Sequence, residues 1–299
     1  MSLGIVLKGS EGVVLAADSR VTLFSQIVVP GKPPILLPAS FDNATKILRV
    51  EGVDSVGVVT YGQGAIGAAQ PRTAHSYMPE FAVVLGAIDS VGQKKKTEIT
   101  VKKFAEELSK FFLERWTNAG MPAKVAPGDE MVFLVAGYDK GEPYGKVFEI
   151  FVPNNPTPTE KIPLAAFGAI WGGQRSITDR LVQGFDSAAI NQIYQALKIP
   201  APQQTTANLE AHLKTQLSLK IPIQFLPLQD CVDLATFLVK ATILLQRWTV
   251  DVRGVGGAVD VATITRTGGF EFIQTKRVVG ETDRLDKTNS IKPGGSNVQ

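Results

Sequence analysis

The chain has little of what several common chemistries require. Its 299 residues include one cysteine, Cys231, so no internal disulfide can form. Cys231 falls among apolar residues at helical spacing between positions 228 and 237, which reads as a buried structural thiol and not as a nucleophile or metal ligand. There are two histidines, His75 and His212, each in a segment that reads as helix or helix edge with no carboxylate pattern beside it. A Ser-His-Asp triad therefore has little to draw on. No apolar run approaches the ~20 residues that cross a bilayer, and the first residues lack a basic stretch leading into a long hydrophobic one. No membrane span and no secretory signal are expected, and the expected address is the cytoplasm. Excess charge is scarce too: 31 basic against 28 acidic residues leave a net charge of +3. The one dense basic cluster, Lys94-Lys95-Lys96, reads as the solvated entry to a helix, so nucleic acid is not an expected partner.

What the chain does have is apolar material, 44% of its residues, enough for one large domain or two small ones. Residues 3–7 and 12–17 are short β-rich runs around Lys8-Gly9-Ser10-Glu11 and predict a hairpin. Residues 46–50 and 55–61 predict a second, and 131–138 with 146–152 a third. Between the first two hairpins, residues 27–40 carry Pro30, Pro33, Pro34 and Pro38, which exclude a helix or an interior strand and predict a surface excursion. Helical texture is expected over 65–85 with interruptions, over 97–116 with Val101, Phe104, Leu108, Phe111 and Phe112 on one face, and over 177–197 and 228–248. Residues 258–266 and 270–274 predict a closing hairpin. Strand pairs followed by helices, twice over, are not the β-α-β alternation of a parallel sheet. The expected class is α+β, with antiparallel sheets covered by helix layers. The expected domain spans 1–278, and 279–299 reads as a polar, disordered tail.

The beginning of the chain carries the candidate chemistry. Removal of the initiator methionine, favoured by a small second residue, leaves Ser2 with a hydroxyl and a free α-amine on one residue. A serine needs a base within hydrogen-bond reach, and an α-amine with an ordinary pKa near ~7.7 to 8.0 supplies one without histidine.

The run Gly12-Val13-Val14-Leu15-Ala16-Ala17-Asp18-Ser19-Arg20, its spacing from Ser2, and Ala44-Thr45-Lys46-Ile47-Leu48 together resemble the β-type subunits of the proteasome and their bacterial relatives, within the N-terminal-nucleophile hydrolases. The resemblance covers most of residues 2–275. It implies a four-layer αββα sandwich of two antiparallel sheets flanked by helices, with insertions near 27–40 and 200–227. It also implies a peptidase or amidohydrolase in which Ser2 attacks, its α-amine moves the proton, and Lys46 and Asp18 tune that amine and hydroxyl. Met1-Ser2-Leu3 also reads as a start in which Ser2 stands in for a threonine. The Gly62 N–H would meet the oxyanion at a helix N-terminus, and Val21, Thr22, Thr60 and Gly64 would contact substrate. The implied partners are a peptide or protein substrate, further copies of the chain in a ring or helical homo-oligomer, and an unfoldase or regulator. No metal or organic cofactor is implied.

Three features depart from that pattern. Gly172, in Ala169-Ile170-Trp171-Gly172-Gly173-Gln174, stands where the family supplies a serine. Asp251, the residue the resemblance implies as orienter of the α-amine, is one residue out of register with the family's helper aspartate, and Val255 replaces the serine that accompanies it. The insertions exceed the usual subunit. A non-catalytic assembly subunit is accordingly the competing reading. A third reading comes from Gly62-Gln63-Gly64-Ala65-Ile66-Gly67, which spells a dinucleotide fingerprint but follows antiparallel hairpins and not the first strand of a β-α-β unit.

Overall fold

A computed structural model describes residues 2–27, 31, 33, 35–67, 70–89, 93–200, 202–250 and 252–277. In chain order the strands are β1 (Leu3–Lys8), β2 (Val13–Ala17), β3 (Val21–Ile27), β4 (Ile35–Phe41), β5 (Ile47–Val50), β6 (Val53–Gly62), β7 (Ala65–Ile66) and β8 (Arg72–Thr73). Helices α1 (Met78–Val84) and α2 (Val101–Asn118) follow, then β9 (Met131–Gly137), β10 (Lys146–Val152), β11 (Asn155–Ile162) and β12 (Gly168–Gly173). Helices α3 (Ser176–Gln183), α4 (Ser187–Leu197), α5 (Gln203–Leu217) and α6 (Leu228–Trp248) lead to β13 (Asp260–Thr265) and β14 (Gly269–Gln274). The chain is thus mixed α/β, with antiparallel sheets and six α-helices among the described residues. No helix there is long and apolar enough to cross a membrane.

Two five-stranded sheets form the centre, ordered β12-β1-β2-β13-β14 and β11-β10-β9-β6-β5, and every pairing is antiparallel. Strand β1 lies between β2 and β12, and all six of its residues are buried. Its side chains divide by parity, as a pleated strand requires. Val6 joins Leu15 and Ile264 of its own sheet and Val59, Val132 and Leu134 of the other in one apolar cluster. Leu3, Ile5 and Leu7 join Cys231, Ala235, Leu238 and Val239 of α6 in another. A strand covered on both faces reads as a continuous apolar run, which explains why these residues show no polar alternation.

On the far face of the second sheet, Val56, Val58, Phe133, Val135 and Phe148 meet Phe81 of α1 and Phe104, Leu108, Phe112 and Trp116 of α2. Helix α2 starts where Thr100 accepts a hydrogen bond from the Lys103 N–H at 3.2 Å, while the Val101 N–H donates to Asp139 Oδ1 at 2.7 Å. Each of these buried aromatic side chains contributes about 1.5–3 kcal/mol over exposure.

The structure differs from the sequence expectations at several places. The stretch expected as helix over 65–85 opens with the short pair β7 and β8, and the helix proper begins only at Met78. Gly67, at φ 100°, takes a backbone conformation that a right-handed helix does not contain. The single helix expected over 177–197 is two, broken at Gly184, whose left-handed φ of 82° ends α3. The proline-rich excursion is exposed as expected where its side chains are described, yet most of it beyond residue 34 is strand β4, which pairs with β3 just before it, apart from both sheets. Pro38 fits there because, among the described residues, β4 has a single neighbour and need not donate on its outer edge. Helix α5 occupies most of the 200–227 insertion, and β11 and β12 were not read as strands. The expected tail lies outside the described residues.

Candidate active site

The β1–β2 hairpin brings the two ends of the proposed machinery together. Its register pairs Gly4 with Ala17, which sets Leu3 opposite Asp18 immediately beyond the strand end. The Asp18 N–H donates to the Leu3 carbonyl at 3.3 Å, and the Leu3 N–H donates back to Asp18 Oδ1 at 2.9 Å. Asp18 is fully buried and accepts three further hydrogen bonds: from Lys46 Nζ on Oδ1 at 2.6 Å, and from the Arg20 and Gly256 N–H groups on Oδ2 at 3.1 and 3.0 Å. A buried carboxylate holding one ammonium and three backbone donors is a satisfied charge.

Lys46 sits one residue before β5 and is 5% exposed. Its ammonium donates to Asp18 Oδ1 and to the Arg20 carbonyl, both at 2.6 Å. Burial pulls its pKa below the ordinary lysine value, and the Asp18 charge opposes that shift without cancelling it. The Leu3 amide and the Lys46 ammonium therefore end on the same oxygen, so the cation stands one residue from Ser2. Arg20 is held in turn by a two-point pairing with Asp42 at 2.6 and 2.7 Å.

Ser2 is 5% exposed, and its carbonyl accepts the Gln174 N–H at 2.7 Å. It lines a cleft of about 470 Å³ whose walls include Thr22, Tyr61, Gly62, Glu130, Phe151 and Gln174. Gly62 ends β6 with φ 79°, and a side chain there would run into the Glu130 carbonyl, so the position requires glycine on two counts. No helix starts here; the chain continues into β7, so the expected helix-terminus contribution at Gly62 is absent and only its backbone faces the cleft. The same geometry removes the strand-to-helix turn that a dinucleotide fingerprint needs.

Tyr61 is the residue that sequence reasoning missed. Its ring lies over Gly172, where any Cβ would overlap the phenol, and against Gly4, the strand partner of Gly172. Two paired glycines of one sheet thus make room for one tyrosine of the other. The Tyr61 hydroxyl donates to Glu149 Oε1 at 2.8 Å, and Glu149 pairs with Lys161 at 2.9 Å. Burial, and then the Glu149 charge, push the phenol well above the ordinary tyrosine range, so it stays protonated. Strand parity was the available signal: Tyr61 immediately precedes Gly62 and shares the inter-sheet face with Val59.

The remaining expected residues divide. Thr22 lines the cleft, and its strand β3 pairs only with β4 among the described residues, leaving the other edge open to an added strand. Val21 begins β3 and is half-buried but is not part of the cleft wall. Gly64 is exposed, and its carbonyl accepts from the Ala74 N–H at 3.2 Å. Thr60 is buried at 4% exposure, but its parity places it with Val56 and Val58 toward the helices and away from the cleft wall. Asp251 lies outside the described residues. His75 and His212 are both exposed, and Cys231 is buried with its thiol pushed up to about 11 by burial.

No protein-family model and no curated protein matches the sequence. Among solved structures, the chain is similar to the Gly-1 mutant of Anbu from Hyphomicrobium sp. strain MC1, with 12% sequence identity, a TM-score of 0.50, and 99% of this chain and 100% of that one covered. At that identity the likeness is one of fold alone.

Proposed function

We propose that the chain is a proteasome-like hydrolase acting on amide bonds of a peptide or protein through its N-terminal residue. The observation that carries this reading is the shared oxygen: Leu3 N–H and Lys46 Nζ both end on buried Asp18 Oδ1, directly behind a residue that opens onto a cleft. After removal of Met1, the Ser2 α-amine takes the proton from Oγ as Oγ bonds to the substrate carbonyl carbon. The same amine then delivers that proton to the leaving nitrogen as the C–N bond breaks, and water hydrolyses the ester. Lys46 lowers the proton affinity of the amine by like-charge repulsion, Asp18 holds Lys46, and the Gly62 N–H stabilises the oxyanion.

The same reading includes a four-layer αββα arrangement over residues 1–278, a ring or helical homo-oligomer, and a cytoplasmic setting. Support for the layering comes from apolar clusters that lie between the two sheets and on both of their outer faces. The test is covalent labelling of the N-terminal residue by an epoxyketone or β-lactone in protein whose mass shows Met1 removed. Labelling that fails in the wild type, or persists at full rate in Lys46→Ala, overturns the mechanism.

One observation favours the non-catalytic reading. The Tyr61 ring fills the space a serine at position 172 would need, so any polar help from that position is closed off. Absence of labelling in a correctly folded, Met1-free protein selects that reading.

A further inference from the structure

Helix α6 buries Cys231, Val232, Ala235, Leu238 and Val239 against the first sheet, and Thr242 beside Thr178 of α3. Its opposite face is bare. Phe237 is 54% exposed, Leu244 41% and Trp248 72%, and with Asp233 and Lys240 they repeat at intervals of three and four residues along one stripe. Asp233, Phe237, Lys240, Leu244 and Trp248 line a shallow apolar groove of about 540 Å³. Several large apolar side chains in one continuous stripe are not the scattered singles of an ordinary surface. Helical spacing of this kind is the seam a second helix packs into.

The charges on the stripe indicate what covers it. Among the described residues Asp233 accepts one hydrogen bond, from Gln229 at 3.0 Å, and Lys240 pairs with no carboxylate. The two stand seven residues apart, with the midpoint between Thr236 and Phe237, close to the middle of the helix. A two-fold axis through that midpoint, with two α6 helices antiparallel, sets each Asp233 opposite the Lys240 of its mate and brings the two Phe237 rings to the centre. The same operation carries Trp248 toward position 225, and Phe225, just before α6, is 77% exposed. An isologous contact requires a surface that complements itself under rotation, and this stripe meets that requirement in both charge and aromatic content. A 21-residue helix is about 31 Å long, enough to seat the whole stripe.

We infer that α6 pairs with α6 of a second copy of this chain in an antiparallel, two-fold contact centred on Phe237. The inference stands apart from the hydrolase reading, since none of its residues lines the Ser2 cleft.

The test is a charge exchange on the full chain, read by sedimentation velocity. Asp233→Lys or Lys240→Asp alone places like charges at both reciprocal contacts and is expected to weaken association at least tenfold. Asp233→Lys with Lys240→Asp restores the complement and is expected to recover the wild-type association. A second measurement uses the scarcity of thiols. Cys231 is 1% exposed, so Phe237→Cys presents the one reactive thiol and is expected to give a disulfide-linked dimer under mild oxidation, whereas Lys110→Cys on α2 is not. Single exchanges that leave association unchanged, or a double exchange that fails to recover it, overturn the inference. So does a face covered by residues 278–299 of the same chain, which would leave Phe237→Cys monomeric. N-terminal labelling reports separately on the hydrolase reading.

Discussion

Tyr61 and Gly172 occupy one volume between them: the tyrosine ring of β6 fills the space that a side chain on β12 would take. Gly172→Ser therefore does not restore a polar group to the cleft; it drives the phenol out of place. We expect G172S to lose about 1–3 kcal/mol, the range for overpacked sites. In the Tyr61→Ala background the same serine has room, so the two changes are strongly non-additive. Chemical denaturation of the four proteins in the cycle measures the coupling, and additive losses would mean that the two residues do not compete for space.

Among the described residues Lys46 is the one cation bonded to a buried carboxylate that is otherwise held by backbone amides. Removing one member of such a pair strands the other, at a cost of about 3–5 kcal/mol. Lys46→Ala should show that loss in urea unfolding and should also lose N-terminal labelling. A stable Lys46→Ala protein would mean that Asp18 is satisfied by its backbone donors alone.

Ser2→Thr keeps a hydroxyl and an α-amine on the same residue, so N-terminal labelling is expected to continue. Ser2→Ala keeps the amine and removes the proposed nucleophile. It should fold with wild-type stability to within about 1 kcal/mol, because a hydroxyl contributes about that much, and intact mass after epoxyketone treatment should stay unmodified. Modification of the alanine variant would move the reactive group elsewhere.

Lys8 gives a pH signature independent of the cleft. It is fully buried, its ammonium donating to the Pro163 and Leu164 carbonyls at 2.7 and 2.9 Å, and burial lowers its pKa from 10.5 to about 8. Below about pH 8 the folded and unfolded chains both carry this proton, and Lys8 adds no slope. Between about 8 and 10.5 the unfolded chain still holds a proton that the folded chain has shed, so stability rises with pH, by at most ~1.4 kcal/mol per unit. The stability difference between wild type and Lys8→Met, followed from pH 7 to 10, should climb across that window. A flat difference would mean that folding does not perturb Lys8.

Much of this architecture was legible because its signals are local. The first three hairpins and the closing one follow from short apolar runs around turn residues, and α6 matches the expected 228–248. Failures came where tertiary pairing overrides local texture. Strand β11 carries Pro156 and Pro158, which argue against a strand, yet among the described residues it is an edge strand with β10 as its one neighbour. Strand β12 is rich in glycine and exists because β1 needs a second partner. At the site, the residues inherited from a resemblance could be named one by one. Tyr61 and Glu149 could not, since their meeting depends on two sheets facing each other across 88 positions of sequence.

The backbone amide of Gly256 reaches Asp18 across 238 positions. Strand β1, made first, waits for β12 before its second edge is covered, and its neighbour β2 waits for β13. During vectorial synthesis, then, the opening segment stays an incomplete template until nearly the last strand emerges. Asp18 gains its last donor only when Gly256 has been made, whereas both partners of Lys46 lie upstream of it. Until then the Asp18 carboxylate lacks one of its donors and the second edge of β2 is unpaired, so a product that stops short of residue 256 carries an unsatisfied charge and an open strand edge.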